Sequence, residues 1–294
     1  MQDNILLRCF PNILSICSLY DERKQFINIE GALPTKRANM KHFLTIVIAI
    51  ILFLPFLFKN ITGPAAAFAE TKEDRLFKAN EWFEKGLKYH TKGEYDKAIE
   101  AYTSAIVLNT NYADAYNNRG LAYDNKGQHD RAMGDYNKAI AINPNYEKAY
   151  YNRGVAYGNK GQYDRAIENY NKAITINPND VRAYTNRGAV YYNKGQYDRA
   201  IDDSNRAIAI NPNYAEAYTN RGNAYDSKGQ HDRAMGDYNK AIAINPNYEK
   251  AYYNRGVAYY NKGIMGKAIS DFQKACDLGL QQGCEFLQKA LRGR

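Results

Sequence analysis

Apolar residues in 79–282 recur at helical spacing, and the whole pattern of apolar and polar positions repeats every 34 residues. Within each unit, positions 4, 8 and 11 fall on one helical face, and positions 20, 21, 24, 27 and 28 fall on one face of a second helix. A glycine at position 15 separates the two helices in every unit, and Asn-Pro-Asn ends the second helix in four units. The pattern predicts six helical hairpins, at 79–112, 113–146, 147–180, 181–214, 215–248 and 249–282.

Small and aromatic residues occupy fixed places in these units. Position 8 is always Gly, positions 20 and 27 are always Ala, and positions 4 and 11 carry large rings, which predicts closely packed helices. The segments 127–157 and 229–259 are identical, so the chain contains a duplicated block of three units. The order Trp/Tyr, Gly, Tyr, Ala, Phe/Tyr, Ala, Pro resembles the tetratricopeptide repeat family. The resemblance implies an all-α, right-handed superhelical solenoid whose first helices line a concave groove.

Both ends of the array have predicted roles. Residues 70–78 are expected to be a helical lead-in, and 283–294 a capping helix whose Phe286, Leu287 and Leu291 cover the last unit.

The N-terminal region reads as a membrane-directed segment. Residues 42–58 are apolar and are flanked by basic residues, and Ala67-Phe68-Ala69 fits a signal-peptidase site. Two interpretations of 40–69 remain open: a cleaved signal peptide, or a transmembrane anchor. Met40 is the expected start, which would make 1–39 a non-native or disordered leader extension. The basic flank predicts that the repeats are exported, in a periplasmic or extracellular location, or are anchored outside the cytoplasm by 42–58.

The candidate binding residues follow from the repeat positions. The resemblance implies that position 6 faces the groove, as in the asparagine ladder of the O-GlcNAc transferase family, where a carboxamide can bind the main chain of an extended peptide. The varying positions 2 and 5 are expected to set specificity, with Lys148 and Arg182 as the most basic spot. The candidates are Asn118, Asn152, Asn186, Asn220, Asn254, Tyr151, Tyr253, Lys148 and Arg182.

Two further features concern structure. Position 7 is Arg in five units, so each guanidinium is expected to pair with Asp at position 18 or position 23. Cys276 and Cys284 are close enough in sequence to form a disulfide in an exported chain, and the alternative is two free thiols.

Net charge and the absence of catalytic motifs argue against nucleic-acid binding and against enzymatic activity. The net charge is +9, and the surplus within the array is too small to predict a basic face, so no nucleic-acid partner is expected. The sequence has no phosphate-binding loop, nucleophile elbow or zinc-site spacing, so no enzymatic activity, metal, cofactor or small-molecule substrate is expected. We therefore expect a non-enzymatic module that binds an extended segment of an unidentified protein. The alternative is a membrane-anchored scaffold or assembly subunit of an envelope complex that uses its convex face or cap.

Overall fold

The computed structural model describes residues 71–292, so the predicted leader at 1–39 and the membrane-directed segment at 40–69 lie outside the described residues. The regular structure within 71–292 is entirely helical. None of the helices in that range is long and apolar enough to cross a membrane. The first helices of the hairpins are α1 (Lys72–Thr91), α3 (Ala113–Asn125), α5 (Glu147–Asn159), α7 (Val181–Asn193), α9 (Ala215–Ser227) and α11 (Glu249–Asn261). The second helices are α2 (Tyr95–Leu108), α4 (His129–Ile142), α6 (Tyr163–Ile176), α8 (Tyr197–Ile210), α10 (His231–Ile244) and α12 (Met265–Asp277), and α13 (Gln281–Arg292) follows them.

The turn inside each hairpin depends on its glycine. Gly127 has φ +73°, a left-handed conformation that other residues adopt only with strain. Its N–H donates to the Asp124 carbonyl at 2.9 Å, and the next N–H, of Gln128, donates to the Tyr123 carbonyl at 2.9 Å. These bonds satisfy carbonyls at the end of α3 that the helix itself leaves without donors. The turn therefore reverses the chain at a defined place in each unit.

In five of the six hairpins, the position-8 glycine lies against the ring at position 24. A Cβ built on Gly154 would lie 2.8 Å from the Tyr170 ring, so only glycine allows this approach. In the fourth unit the ring is replaced by Ser204, which is fully buried and donates its hydroxyl to the Ala200 carbonyl at 2.8 Å. That unit therefore lacks the ring that fills the other hairpins.

The position-7 arginines join neighbouring units. Arg187 donates through Nε and Nη2 to the Asp203 carboxylate at 2.8 and 2.6 Å, and through Nη1 to Asn171 of the preceding unit. The same bidentate pairing with position 23 occurs at Arg119, Arg221 and Arg255. The prediction of an aspartate partner is confirmed for position 23. Position 18 instead pairs with the position-14 lysine of the following unit, as in Lys160–Asp130 at 2.6 Å.

The third unit departs from this rule because Asn169 stands at position 23. Arg153 Nε donates to the Asn169 carboxamide oxygen at 2.8 Å, and no carboxylate pairs with Arg153 among the described residues. In this unit the neutral carboxamide of Asn169 thus occupies the place that an aspartate carboxylate holds in the neighbouring units.

The C-terminal end is closed by α13. Phe286 packs edge-on against Tyr253, with ring centroids 5.4 Å apart, and also against the fully buried Phe272. The expectation that Leu291 helps to cover the last unit is wrong, because half of that side chain is exposed. Cys276 and Cys284 are joined by a disulfide, with Cα atoms 4.6 Å apart, which ties α12 to α13.

The contacts between units explain the curvature. Each second helix packs on the first helix of the next unit, and successive first helices also contact one another. Second helices of neighbouring units make no comparable contact within 71–292. The first helices therefore lie on the inner side of the curve, and the predicted all-α superhelical solenoid is confirmed.

Candidate functional site

The asparagine ladder lies on the inner helices, and its amide nitrogens connect one unit to the preceding one. Asn152 Nδ2 donates to Asn117 Oδ1 at 3.0 Å, and Asn186 Nδ2 donates to the Tyr151 hydroxyl at 2.8 Å. Asn220 Nδ2 donates to the Thr185 carbonyl at 3.3 Å. All three donors thus bind position 5 of the unit before. The ladder therefore contributes to packing between units.

The two ends of the ladder differ from its middle. Asn118 Nδ2 donates within its own helix, to the Asp114 carbonyl at 2.9 Å, and Asn254 makes no side-chain hydrogen bond to the described residues. In the middle, Oδ1 of Asn152, Asn186 and Asn220 accepts no hydrogen bond from residues 71–292, and these side chains are half-buried. The free groups are thus mainly acceptors, which suit the N–H groups of an extended chain.

The expected basic spot at Lys148 and Arg182 is weaker than the sequence indicated. Arg182 Nε lies 3.3 Å from the Asp180 carboxylate, and its guanidinium lies over the Tyr151 ring at 4.7 Å. Lys148 is exposed and has no carboxylate partner among the described residues. Only Lys148 therefore keeps an unbalanced positive charge at this place.

Tyr151 and Tyr253 hold the same repeat position but have different surroundings. Tyr151 accepts the bond from Asn186 and packs beside Tyr170, against the core of its own hairpin. Tyr253 lies between Phe272 and Phe286, in contact with the capping helix. The two tyrosines are therefore not equivalent, because Tyr253 is largely part of the cap whereas Tyr151 contacts the next unit through Asn186.

A carboxyl pair in the third unit was missed by the sequence reasoning. Asp180 replaces the tyrosine found at this position in four other units, caps α7 by accepting from the Arg182 N–H at 2.9 Å, and is almost fully buried. Glu147 lies against it, and its buried Oε1 accepts no hydrogen bond from any donor in the described structure, so only a protonated Glu147 can bond to Asp180. Burial, together with hydrogen bonding to Asp180 and repulsion from it, raises the pKa of Glu147 to about 7. The exchange of Tyr for Asp was the signal that could have revealed the pair.

The raised pKa of Glu147 predicts a pH dependence. A carboxyl whose pKa is raised by folding contributes stability that is fully present below its unfolded pKa near 4.5 and is lost as pH rises through about 7. Because Glu147 is partly exposed, we expect a loss of only about 1 kcal/mol across this window. Glu147→Gln keeps a donor for Asp180 and should remove this part of the slope. Urea unfolding of wild type and of Glu147→Gln between pH 4.5 and 7 measures how the free energy of unfolding changes with pH. The same pH dependence in both proteins would contradict the raised pKa of Glu147.

Several surface cavities lie away from the ladder. They repeat along the turns, and one of about 460 Å³ is lined by Gly229, Gln230, Asp232, Arg233 and Lys262. Part of their charge is engaged in ion pairs between neighbouring units, as in Lys262–Asp232 at 2.8 Å. No group of three or more metal-ligating side chains occurs in the described part of the chain.

Four family models match the chain. One described as "TPR repeat" matches residues 86–127, 159–195 and 222–263. The other three models are each described as "Tetratricopeptide repeat". The first matches residues 113–146 and 181–214, the second matches 135–168 and 205–235, and the third matches 249–278. Together they extend without a gap from 86 to 278, and no enzyme family is among them. No curated protein matches in a sequence comparison.

Solved structures with the same fold include a tetratricopeptide repeat protein from Parabacteroides merdae, with a TM-score of 0.59 and 26% identity over 78% of this chain and 85% of that one. YrrB, described as a TPR protein with an unusual peptide-binding site, gives a TM-score of 0.50 and 28% identity over 66% of this chain and 98% of that one. A chain of the APC/C hetero-tetramer Cut9-Hcn1 gives a TM-score of 0.65 at 20% identity. The match covers 73% of this chain but only 43% of that one, so this chain spans less than half of it.

These matches agree with the glycine turns, the ring-on-glycine packing and the inner row of first helices described above. A fold of this kind is typical of protein–protein interaction and is generally non-enzymatic. The chain belongs to the tetratricopeptide repeat family.

Proposed function

We propose that the array binds an extended segment of a partner protein along its concave groove and carries out no chemistry. The observation that carries the proposal is the row of carboxamide oxygens on Asn152, Asn186 and Asn220, one in each of three consecutive units. Their amide nitrogens are held by the preceding units, so the oxygens have fixed directions before any ligand arrives. An ordered row of acceptors loses less conformational entropy on binding than a flexible surface does.

The expected affinity is modest. A net gain of about 1 kcal/mol for each hydrogen bond must offset the cost of ordering a flexible peptide. We therefore expect a Kd in the micromolar to millimolar range. The similarity to YrrB supports this class of ligand, because that protein is described as having a peptide-binding site.

Removal of two ladder side chains tests the proposal. Peptides are first selected from a random library against the array, and their affinities for wild type and for Asn152→Ala/Asn186→Ala are then compared by calorimetry. We expect the double variant to bind about tenfold or more weakly, since it loses two fixed acceptors. Because the same side chains join neighbouring units, the melting temperature of the variant is measured in parallel.

A matched control lies in the Asn-Pro-Asn loops, where Asn179 and Asn213 are exposed and use only their backbone N–H groups in the turn. Asn179→Ala/Asn213→Ala makes the same chemical change away from the groove and should leave peptide affinity unchanged. Equal affinities for the folded ladder variant and the loop variant would refute binding along the ladder.

A further inference from the structure

The outer surface of the second helices carries a row of basic side chains. Each second helix from α4 to α12 has Lys or Arg at both position 19 and position 26, and all of these side chains are exposed. We call this set the outer basic row. Its members are Arg131, Lys138, Arg165, Lys172, Arg199, Arg206, Arg233, Lys240, Lys267 and Lys274.

The two positions share one face of each helix. Residues seven apart are two turns apart, about 10.5 Å along the helix axis, and point in nearly the same direction. Positions 20, 24 and 27 of the same helices are buried in the hairpins, as Ala166, Tyr170 and Ala173 show in α6. The outer basic row therefore runs along the side of the array opposite to the groove.

Few carboxylates balance this row. None of its members forms an ion pair with a carboxylate within residues 71–292. The nearby position-18 aspartates are engaged by the position-14 lysines, as in Lys160–Asp130. Position 22, between the two basic positions, is acidic only at Glu168 and Asp202 in these five helices. The array therefore does have a basic face, contrary to the expectation from its net charge.

The two positions of the row differ in their side-chain contacts. Arg131 at position 19 donates to the Gln128 carboxamide at 3.1 Å and lies over the Tyr123 ring at 5.7 Å, and Arg165 and Arg233 are held in the same way. The position-26 side chains have no such contact in the described structure, so their charged groups can reach a partner and can be changed without loss of packing.

We propose that the outer basic row binds the surface of an anionic lipid bilayer and thereby turns the concave groove toward the aqueous side. The tyrosine rings beside the row are only partly exposed and are covered by the position-19 side chains, which leaves no open ring for base stacking and disfavours a single-stranded nucleic acid. The large exposed hydrophobic side chains of the described part, such as Phe77 and Leu291, lie toward its two ends, so contact along the row is electrostatic and superficial. The apolar run at 42–58, outside the described residues, is separately expected to direct this chain to a membrane. The inference does not depend on peptide binding.

The strength of this contact can be bounded. A basic side chain near an anionic bilayer contributes about 1 kcal/mol, and the attraction extends over a Debye length of about 10 Å at 0.1 M salt. Because the row is curved, only part of it meets a flat surface at one time. The binding should therefore be reversible and weakened by salt.

The test uses Glu70–Arg294, which is a compact unit with its own core and lacks the apolar run. Sedimentation with vesicles of phosphatidylcholine, with and without phosphatidylglycerol, measures the partition coefficient. Wild type should bind only the anionic vesicles. Replacing the position-26 set with Gln should lower the partition coefficient at least about tenfold. This set is Lys138, Lys172, Arg206, Lys240 and Lys274.

A control variant replaces five exposed lysines of the first helices and their turns, so its net charge equals that of the position-26 variant. It replaces Lys85, Lys88, Lys92, Lys148 and Lys250 with Gln. Retained binding by this control, together with loss in the position-26 variant, supports the proposal. Equal loss in both variants shows that only net charge matters and overturns it. Tighter binding of single-stranded RNA than of anionic vesicles, lost in the position-26 variant, also overturns it in favour of nucleic acid.

Discussion

Replacing Asp203 with Leu is expected to lower the free energy of unfolding by about 3–5 kcal/mol. Asp203 is 5% exposed and accepts two hydrogen bonds from Arg187, whose side chain is itself largely buried. Leucine fills a similar volume but leaves a partly buried guanidinium with Asn171 as its remaining side-chain acceptor. Urea unfolding of Glu70–Arg294 measures the change.

The third unit supplies the control for this prediction. There Asn169 replaces the aspartate and still accepts a hydrogen bond from Arg153 at 2.8 Å. Asp203→Asn should therefore cost only about 1–2 kcal/mol, because one acceptor remains for the guanidinium. If the Asn and Leu variants unfold at the same urea concentration, the arginine ladder does not stabilise the array in the way described.

Gly222→Ala is expected to lower stability, whereas Gly188→Ala is expected to leave it unchanged or raise it. A Cβ at position 222 would lie 2.7 Å from the buried Tyr238 ring, and overpacking of this kind costs about 1–3 kcal/mol. At position 188 the ring is absent, and the nearest atom would be Asp203 Cβ at 3.3 Å. Alanine favours the helix over glycine by up to about 1 kcal/mol, so Gly188→Ala should be neutral or stabilising.

Thermal unfolding of the two single variants provides this comparison. Circular dichroism at the same protein concentration shows whether the melting temperature falls for Gly222→Ala and is kept or raised for Gly188→Ala. A similar decrease for both would mean that the fourth unit is packed as tightly as the others in spite of Ser204.

The hairpins could be predicted because their determinants are local. The left-handed glycine at position 15, the proline of the Asn-Pro-Asn loops and the small residues opposite rings each act within one unit, so their spacing shows directly in the sequence. The aspartate at position 23 was one of two possible partners for the arginines, and only the packing of the two helices decided between it and position 18.

The details of the groove depend on neighbours about 35 residues away. The bond from Asn186 to Tyr151 and the contact of Asp180 with Glu147 arise from the stacking of units, which the pattern within one unit does not specify. The outer basic row was missed for a different reason. Net charge sums both faces of the array, so a basic outer face was hidden by carboxylates elsewhere, such as Asp114 and Glu216 on the first helices.

Site-specific photocrosslinking to a library-selected peptide tests the central claim most directly. A photoreactive residue is placed at exposed positions of a first helix, Lys148 or Asn159, or of the second helices, Lys138 or Lys172. Binding along the groove predicts crosslinks to the peptide from the two first-helix positions and none from the other two. Crosslinks formed mainly from the second-helix positions would contradict the account.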